Sequence, residues 1–246
     1  ITRLDDGQDH VRCGYIAAMR LLDTDGGLAR YRLHCVPWTW LLGHARHSRV
    51  YQARSVREIV EDVLGGHAEL ARWRWSDDAV ADLAAAPARS YCVQYRESDL
   101  AFVQRLLAEE GIAGAFQNDA EGALTLVLFS DSSAQPENPQ SARDGGIRFH
   151  RHDGTEQADA LQALGARRQL GSNRLSLVTS DYKGPVVRHA QLPLQGAGHS
   201  SREVYDPAGA HAFADAGDGQ RRARLAAEAH EAGLGGWWGA GTVRSL

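Results

Sequence analysis

The clearest periodicity in the chain lies between Ser55 and Leu64. Val56, Ile59, Val60, Val63 and Leu64 recur there at helical spacing and form one apolar stripe. Ser55 and Glu58, three apart, have the spacing of a reciprocal capping box, and Gly65-Gly66 supplies a stop. A second helix is predicted after Ser98. Phe102, Val103, Leu106 and Leu107 share its apolar face, leaving Arg105, Glu109 and Glu110 mainly to solvent. Ser98 offers a capping hydroxyl, Asp99 puts negative charge at the positive helix end, and Gly111 suits a left-handed stop. Just before it, Tyr91 to Tyr95 alternates with period two. Tyr91, Val93 and Tyr95 fall on one face and Cys92 and Gln94 on the other, a strand with its aromatic bulk on one side. Ile112 to Phe116 resumes an extended run.

Strand patterns dominate the flanks. Cys13 to Arg20 carries few charges, and Asp23-Thr-Asp-Gly-Gly27 is a hairpin turn. Tyr31, Leu33 and Cys35 then alternate against Arg32, His34 and Val36. Pro37 ends that ladder, and Trp38, Trp40, Leu41 and Leu42 form an apolar knot expected in a core. Trp73 and Trp75 alternate with arginines in a short strand, Ala79 to Ala86 is a weak helical turn, and Ala123 to Phe129 is strongly strand-prone. Residues 131–146 are polar, with two prolines and two glycines, and make the best boundary in the chain. Beyond it a short strand is expected at Ile147 to His150, a strand pair over Ala160–Leu170 and Arg174–Thr179, and a helix from Gly219 to Ala232. Trp237 and Trp238 precede a final strand. The fold class is α+β: two small β-barrels with an inserted α/β section.

Composition narrows the function. The 246 residues are 43% hydrophobic and 24% charged with a net charge of −4, which argues against a nucleic-acid-binding surface. No apolar run reaches the roughly 18 residues of a membrane span. Cys13, Cys35 and Cys92 suit neither a disulfide framework nor zinc spacing, and buried reduced thiols are expected. Both ends, Ile1 without a methionine and the strand-like 241–246, read as cuts within a longer protein.

Chemical constellations are sparse. His150, His152 and Asp153 could offer metal ligands but lack a further one, and His44 with His47 is weaker still. Glu97 and Asp99, or Glu109 and Glu110, could form the acid and base of a cell-wall hydrolase. Solvation and helix-start chemistry explain them better. No nucleophile elbow, papain-like cysteine or phosphate-binding glycine loop is present, so no catalytic, metal or cofactor site is expected.

The run Cys92-Val-Gln-Tyr-Arg-Glu-Ser-Asp99, continuing through Phe102 to Gly111-Ile112, resembles the signature segment of VgrG proteins, the spikes of bacterial type VI secretion systems. Further similar segments follow in the family's order. They are Gly27 to Leu33, Pro37-Trp38-x-Trp40-Leu-Leu42, Arg148 to Arg151, Ala166 to Leu170 with Ser172 to Arg174, Asp181-Tyr182-Lys183, Ala208 to Asp218, and Gly239 to Leu246. The resemblance marks Pro37, Trp38, Trp40, Tyr95, Arg96, Glu97, Ser98, Asp99, Phe102, Gly111, Asp181 and Tyr182 as structural motif residues. It implies a hub similar to that of contractile phage baseplates. Residues 1–48 would be the remainder of a first barrel and 49–130 the inserted section. Residues 131–246 would be a second barrel with a loop and a helix, ending just before an OB-like domain. It also implies a homotrimer in the full protein, docking on the hexameric Hcp tube, carriage of effectors or adaptors, and residence in the bacterial cytoplasm before secretion with the spike. A phage or extracellular contractile-injection hub is the nearest alternative.

Overall fold

The computed structural model describes residues 2–3, 9–118, 122–137, 145–150, 159–181, 184–195, 201–209, 212–213 and 215–243, and the structural statements below concern these. Contacts divide the chain into two units, residues 1–108 with 112–135, and residues 109–111 with 136–246.

The first unit begins with the short antiparallel pair β1 (Thr2–Arg3) and β2 (Asp9–His10). β3 (Tyr15–Asp25) and β4 (Leu28–Val36) follow as a long antiparallel ribbon. Gly26 and Gly27 join them, both at positive φ, which a two-residue hairpin turn of the right twist demands. A 3-10 segment, Trp38–His44, leads to β5 (Arg46–Arg54), then α1 (Val56–Gly65), β6 (Trp73–Trp75) and α2 (Asp77–Ala85). β7 (Arg89–Ser98), α3 (Asp99–Glu109), β8 (Ala113–Asn118) and β9 (Leu124–Phe129) complete it. β5 pairs antiparallel with β7, while β9 lies between β6 and β8.

The cues for α1 act as expected. Glu58 N donates to Ser55 Oγ and Ser55 N to Glu58 Oε2, and the whole stripe from Val56 to Leu64 is buried. At the end of α3, Gly111 has φ +72° and Ile112 N donates to Leu107 O at 2.9 Å, the long closing bond of a left-handed helix stop. The core joins the stripes of α1 and α3 to Trp38, Leu42, Tyr51, Cys92, Leu126 and Leu128.

The second unit contains β10 (Leu161–Arg168), β11 (Arg174–Asp181), β12 (Val186–Pro193), β13 (Glu203–Asp206), α4 (Ala216–Gly233) and β14 (Gly235–Gly241). β11 is central, antiparallel to β12 and parallel to β13, and β10 pairs with β14. Leu175, Leu177, Ala190 and Leu194 meet Phe213, Ala223 and Ala227. The alanines, four apart on α4, let the helix approach the sheet closely.

Several expectations are corrected. The strands form sheets of two or three, with no closed barrel among the described residues. β10 takes β14 as its partner rather than β11, because β11 folds back through the turn before Val186. Trp237 and Trp238 lie within β14, and Gly165 opposite leaves room for the Trp238 indole, which a Cβ would strike. The segment before His150 contributes one bridge, Phe149 to Leu161, instead of a strand. α2 begins at Asp77, two residues earlier than its apolar positions suggest, because Ser76 accepts from Ala79 N. Cys13 and Cys35 are exposed, and only Cys92 is buried. Trp38 is core, but Trp40 is partly exposed against His44.

Candidate functional site

The two-residue alternation expected from Tyr91 to Tyr95 holds in β7. Its buried face carries Cys92 and Gln94, while Tyr91 (59% exposed) and Tyr95 (67%) point away from the core. The cause lies one element later. Asp99, the first residue of α3, is 0% exposed, and its carboxylate is the meeting point of the surrounding elements. Gln94 Nε2 on β7 donates to Oδ1 at 2.8 Å, and Arg49 Nη1 on β5 reaches the same oxygen at 3.4 Å. His47 Nδ1 on β5 lies 2.8 Å from Oδ1, and His67 Nε2, in the turn after α1, lies 2.9 Å from Oδ2. Asp99 N donates to Ala45 O, fixing the helix start against the end of the 3-10 segment. A buried carboxylate is tolerated only with such a set of partners.

Burial pushes the Asp99 carboxyl up. The hydrogen bonds from Gln94, His47 and His67 and the charge of Arg49 outweigh it, so the group is held below the usual carboxylate range. It therefore stays ionised and acts as an acceptor, not as an acid. Arg49 within the cluster also disfavours a cation, and no group of three His, Cys, Asp or Glu among the described residues is arranged to hold a metal.

Glu97, two residues earlier, is engaged by an ion pair. Arg105, on the first turns of α3, grips both carboxylate oxygens at 2.8 Å with Nε and Nη2, and the fork pulls the Glu97 carboxyl down. A general acid needs the opposite shift, so Glu97 is not poised to act as one. Arg105 is accordingly only half exposed and Glu110 is buried, against the solvated positions expected for them.

The remaining motif residues are scattered. Ser98 Oγ accepts from Ala101 N at 3.2 Å, capping α3. Phe102 is buried and stacks on Tyr51 at 5.9 Å between ring centroids. Pro37 accepts from Trp40 N as the 3-10 segment begins. Arg96 has φ +52° and lays its guanidinium 5.6 Å from the Tyr95 ring centroid. Asp181 pairs with Arg188 at 3.7 Å in the other unit. His150 N bonds to Leu161 O, whereas His152, Asp153 and Tyr182 lie outside the described residues. The structure thus brings Glu97, Ser98 and Asp99 to the start of one helix and adds His47, Arg49, His67 and Gln94. Those four carry no shared spacing in sequence that would have found them.

The sequence matches the phage tail baseplate hub (GPD) family over residues 2–246. Among curated relatives, the type VI secretion system spike protein VgrG4b of Pseudomonas aeruginosa is 42% identical over 115 residues, 46% of this chain and 14% of that protein. Spike protein VgrG5 of the same organism is 30% identical over 227 residues, 89% of this chain. The chain covers 27% of that relative, so it corresponds to a minor part of such proteins. Among solved structures, a prophage MuSo2 tail protein from Shewanella oneidensis aligns over 94% of this chain and 63% of its own, with TM-score 0.56 at 12% identity. A tail protein from Neisseria meningitidis aligns over 92% and 60%, with TM-score 0.52 at 13% identity. These two likenesses speak to fold alone.

Proposed function

The chain belongs to the phage tail baseplate hub (GPD) family, and from that premise we propose that it is the hub portion of a type VI secretion spike. In this reading it is a structural subunit, trimeric in the full protein, that couples the hexameric Hcp tube to a needle and its effectors. It waits in the bacterial cytoplasm and leaves with the spike. Residues 1–48 and 131–246 would complete barrel walls with neighbouring copies, and residues 49–130 would form the inserted section.

The observation that carries the proposal is the apolar surface that one copy leaves uncovered. In the β3–β4 ribbon Ile16, Met19, Leu28, Tyr31 and Leu33 are exposed, and in the β10–β14 pair so are Leu164, Trp237 and Trp238. An isolated two-stranded ribbon is marginal in water, so strands of this length imply a further surface against them. The spike names of the 42% and 30% identical relatives favour a secretion spike over a phage tail.

Light scattering on the natural full-length protein tests the reading. A mass of three chains is expected, together with binding to the tube protein. A monodisperse monomer at micromolar concentration would overturn it.

A further inference from the structure

We propose that the outer face of the β5–β7 sheet is a docking surface for an extended acidic segment of another protein, with aliphatic side chains about four residues from its carboxylates. The proposal stands whether or not the chain builds a spike.

The two faces of this sheet are used very differently. The inner face, with Arg49, Tyr51, Cys92 and Gln94, is spent on the core and the Asp99 cluster. On the outer face, cross-strand partners Val50 and Val93 sit between Tyr91 and Tyr95. Val50 is 55% exposed, and the tyrosines more so. Tyrosine and arginine are the residues that interface cores favour, since they offer large contact areas with a polar tip.

Charge and backbone geometry sharpen the assignment. Arg46 and Arg96 stand at the same end of the sheet, Arg46 opposite Ser98, and Arg96 N donates to Ser48 Oγ. Both arginines are exposed. Neither pairs with a carboxylate among the described residues, and the nearest acid along β7, Glu97, is taken by Arg105. No outward position of the two strands, from Arg46 to Gln52 and from Tyr91 to Arg96, carries an acid. The face therefore complements negative charge at one end and apolar groups in the middle.

Arg96 is also held at φ +52°, and Ala53, past the other end of the apolar patch, at φ +51°. Arg96 lies where the β5–β7 register shifts, and the bulge gives it its own place beside Tyr95 at the edge of the patch. An open hollow of about 500 Å³, lined by Val50, Tyr51, Gln52, Arg54 and Asp62, adjoins the patch beside β5. Along a strand, Val50 and Arg46 are separated by roughly 13 Å. An extended ligand would then carry its carboxylates about four residues from its apolar anchors.

Two fluorescent twelve-residue peptides test this, one with a pair of glutamates four residues before a Leu-x-Val segment and one with lysines in their place. Anisotropy titrations use the 246-residue chain at low and moderate salt. The glutamate peptide is expected to saturate and to bind at least tenfold more tightly than the lysine peptide, weakening as salt rises. Arg46→Glu with Arg96→Glu should reverse that preference, and Tyr91→Ser with Tyr95→Ser should cost tenfold or more. Unfolding midpoints should stay unchanged, because these side chains lie outside the core. Equal binding of the two peptides, or no saturation up to millimolar concentration, would overturn the proposal. So would sedimentation that finds the chain self-associating through this face, with the arginine variants abolishing it, since the occupant would then be a second copy.

Discussion

Asp99 is where the molecule commits most to a single side chain. Its carboxylate is stripped of water and leans on four side chains from β5, β7 and the turn after α1. Replacing it with alanine leaves two histidines, an arginine and a glutamine around an empty acceptor. A loss of about 3 kcal/mol in a urea titration is expected. The folded carboxyl titrates below its ordinary value, so its contribution is complete above the usual carboxylate range and is lost as pH falls through the lower folded value. Stability of the parent should therefore drop on acidification below about pH 4, and Asp99→Asn should flatten that part of the profile. The cluster was only half legible in sequence. Ser98 and Asp99 announce a helix start through local spacing, but His67 and His47 lie 32 and 52 positions from Asp99. No periodicity connects them. The same bond settles which side of β7 faces the core, a choice that alternation alone leaves open: Gln94 is buried where Asp99 receives it, and the tyrosines are turned outward.

Elements whose cues are local were readable, and those fixed by distant pairing were not. The stripe and capping box of α1 and the glycine stop of α3 each act within a few residues, and both helices form where they point. Ser55→Ala should remove the box and cost about 1 kcal/mol. Gly111→Ala, forcing a Cβ at φ +72°, should cost about 1–2 kcal/mol, both measured by chemical denaturation. β10 and β14 show the opposite case. Seventy-five positions separate Leu164 from its partner Gly239, and the glycines of β14 read as a loop until Trp238 is seen lying across Gly165. Strand existence follows from side-chain alternation, whereas strand partnership depends on which apolar faces meet, and that is a property of the assembled unit.

At the scale of the whole molecule, the α+β class and the family were written in the chain, while the described residues of one copy close no barrel. The β3–β4 ribbon accounts for the difference, because its alternating side chains have no second layer against them among the described residues. Met19→Lys with Leu33→Glu, an opposite-charge pair at directly facing positions, should leave the unfolding midpoint of an isolated copy nearly unchanged, since both side chains are largely in water. The same pair should abolish the three-chain mass of the full-length protein in light scattering. The ribbon also carries its own reporter. Cys35, exposed on β4 and paired across the ribbon with Ile16, is a thiol that an alkylating reagent can reach, whereas Cys92 is sealed in the core. The rate of Cys35 modification, set against that of exposed Cys13, would turn coverage of the ribbon into a stopwatch measurement, timing assembly from one sulfur atom without a label being engineered in.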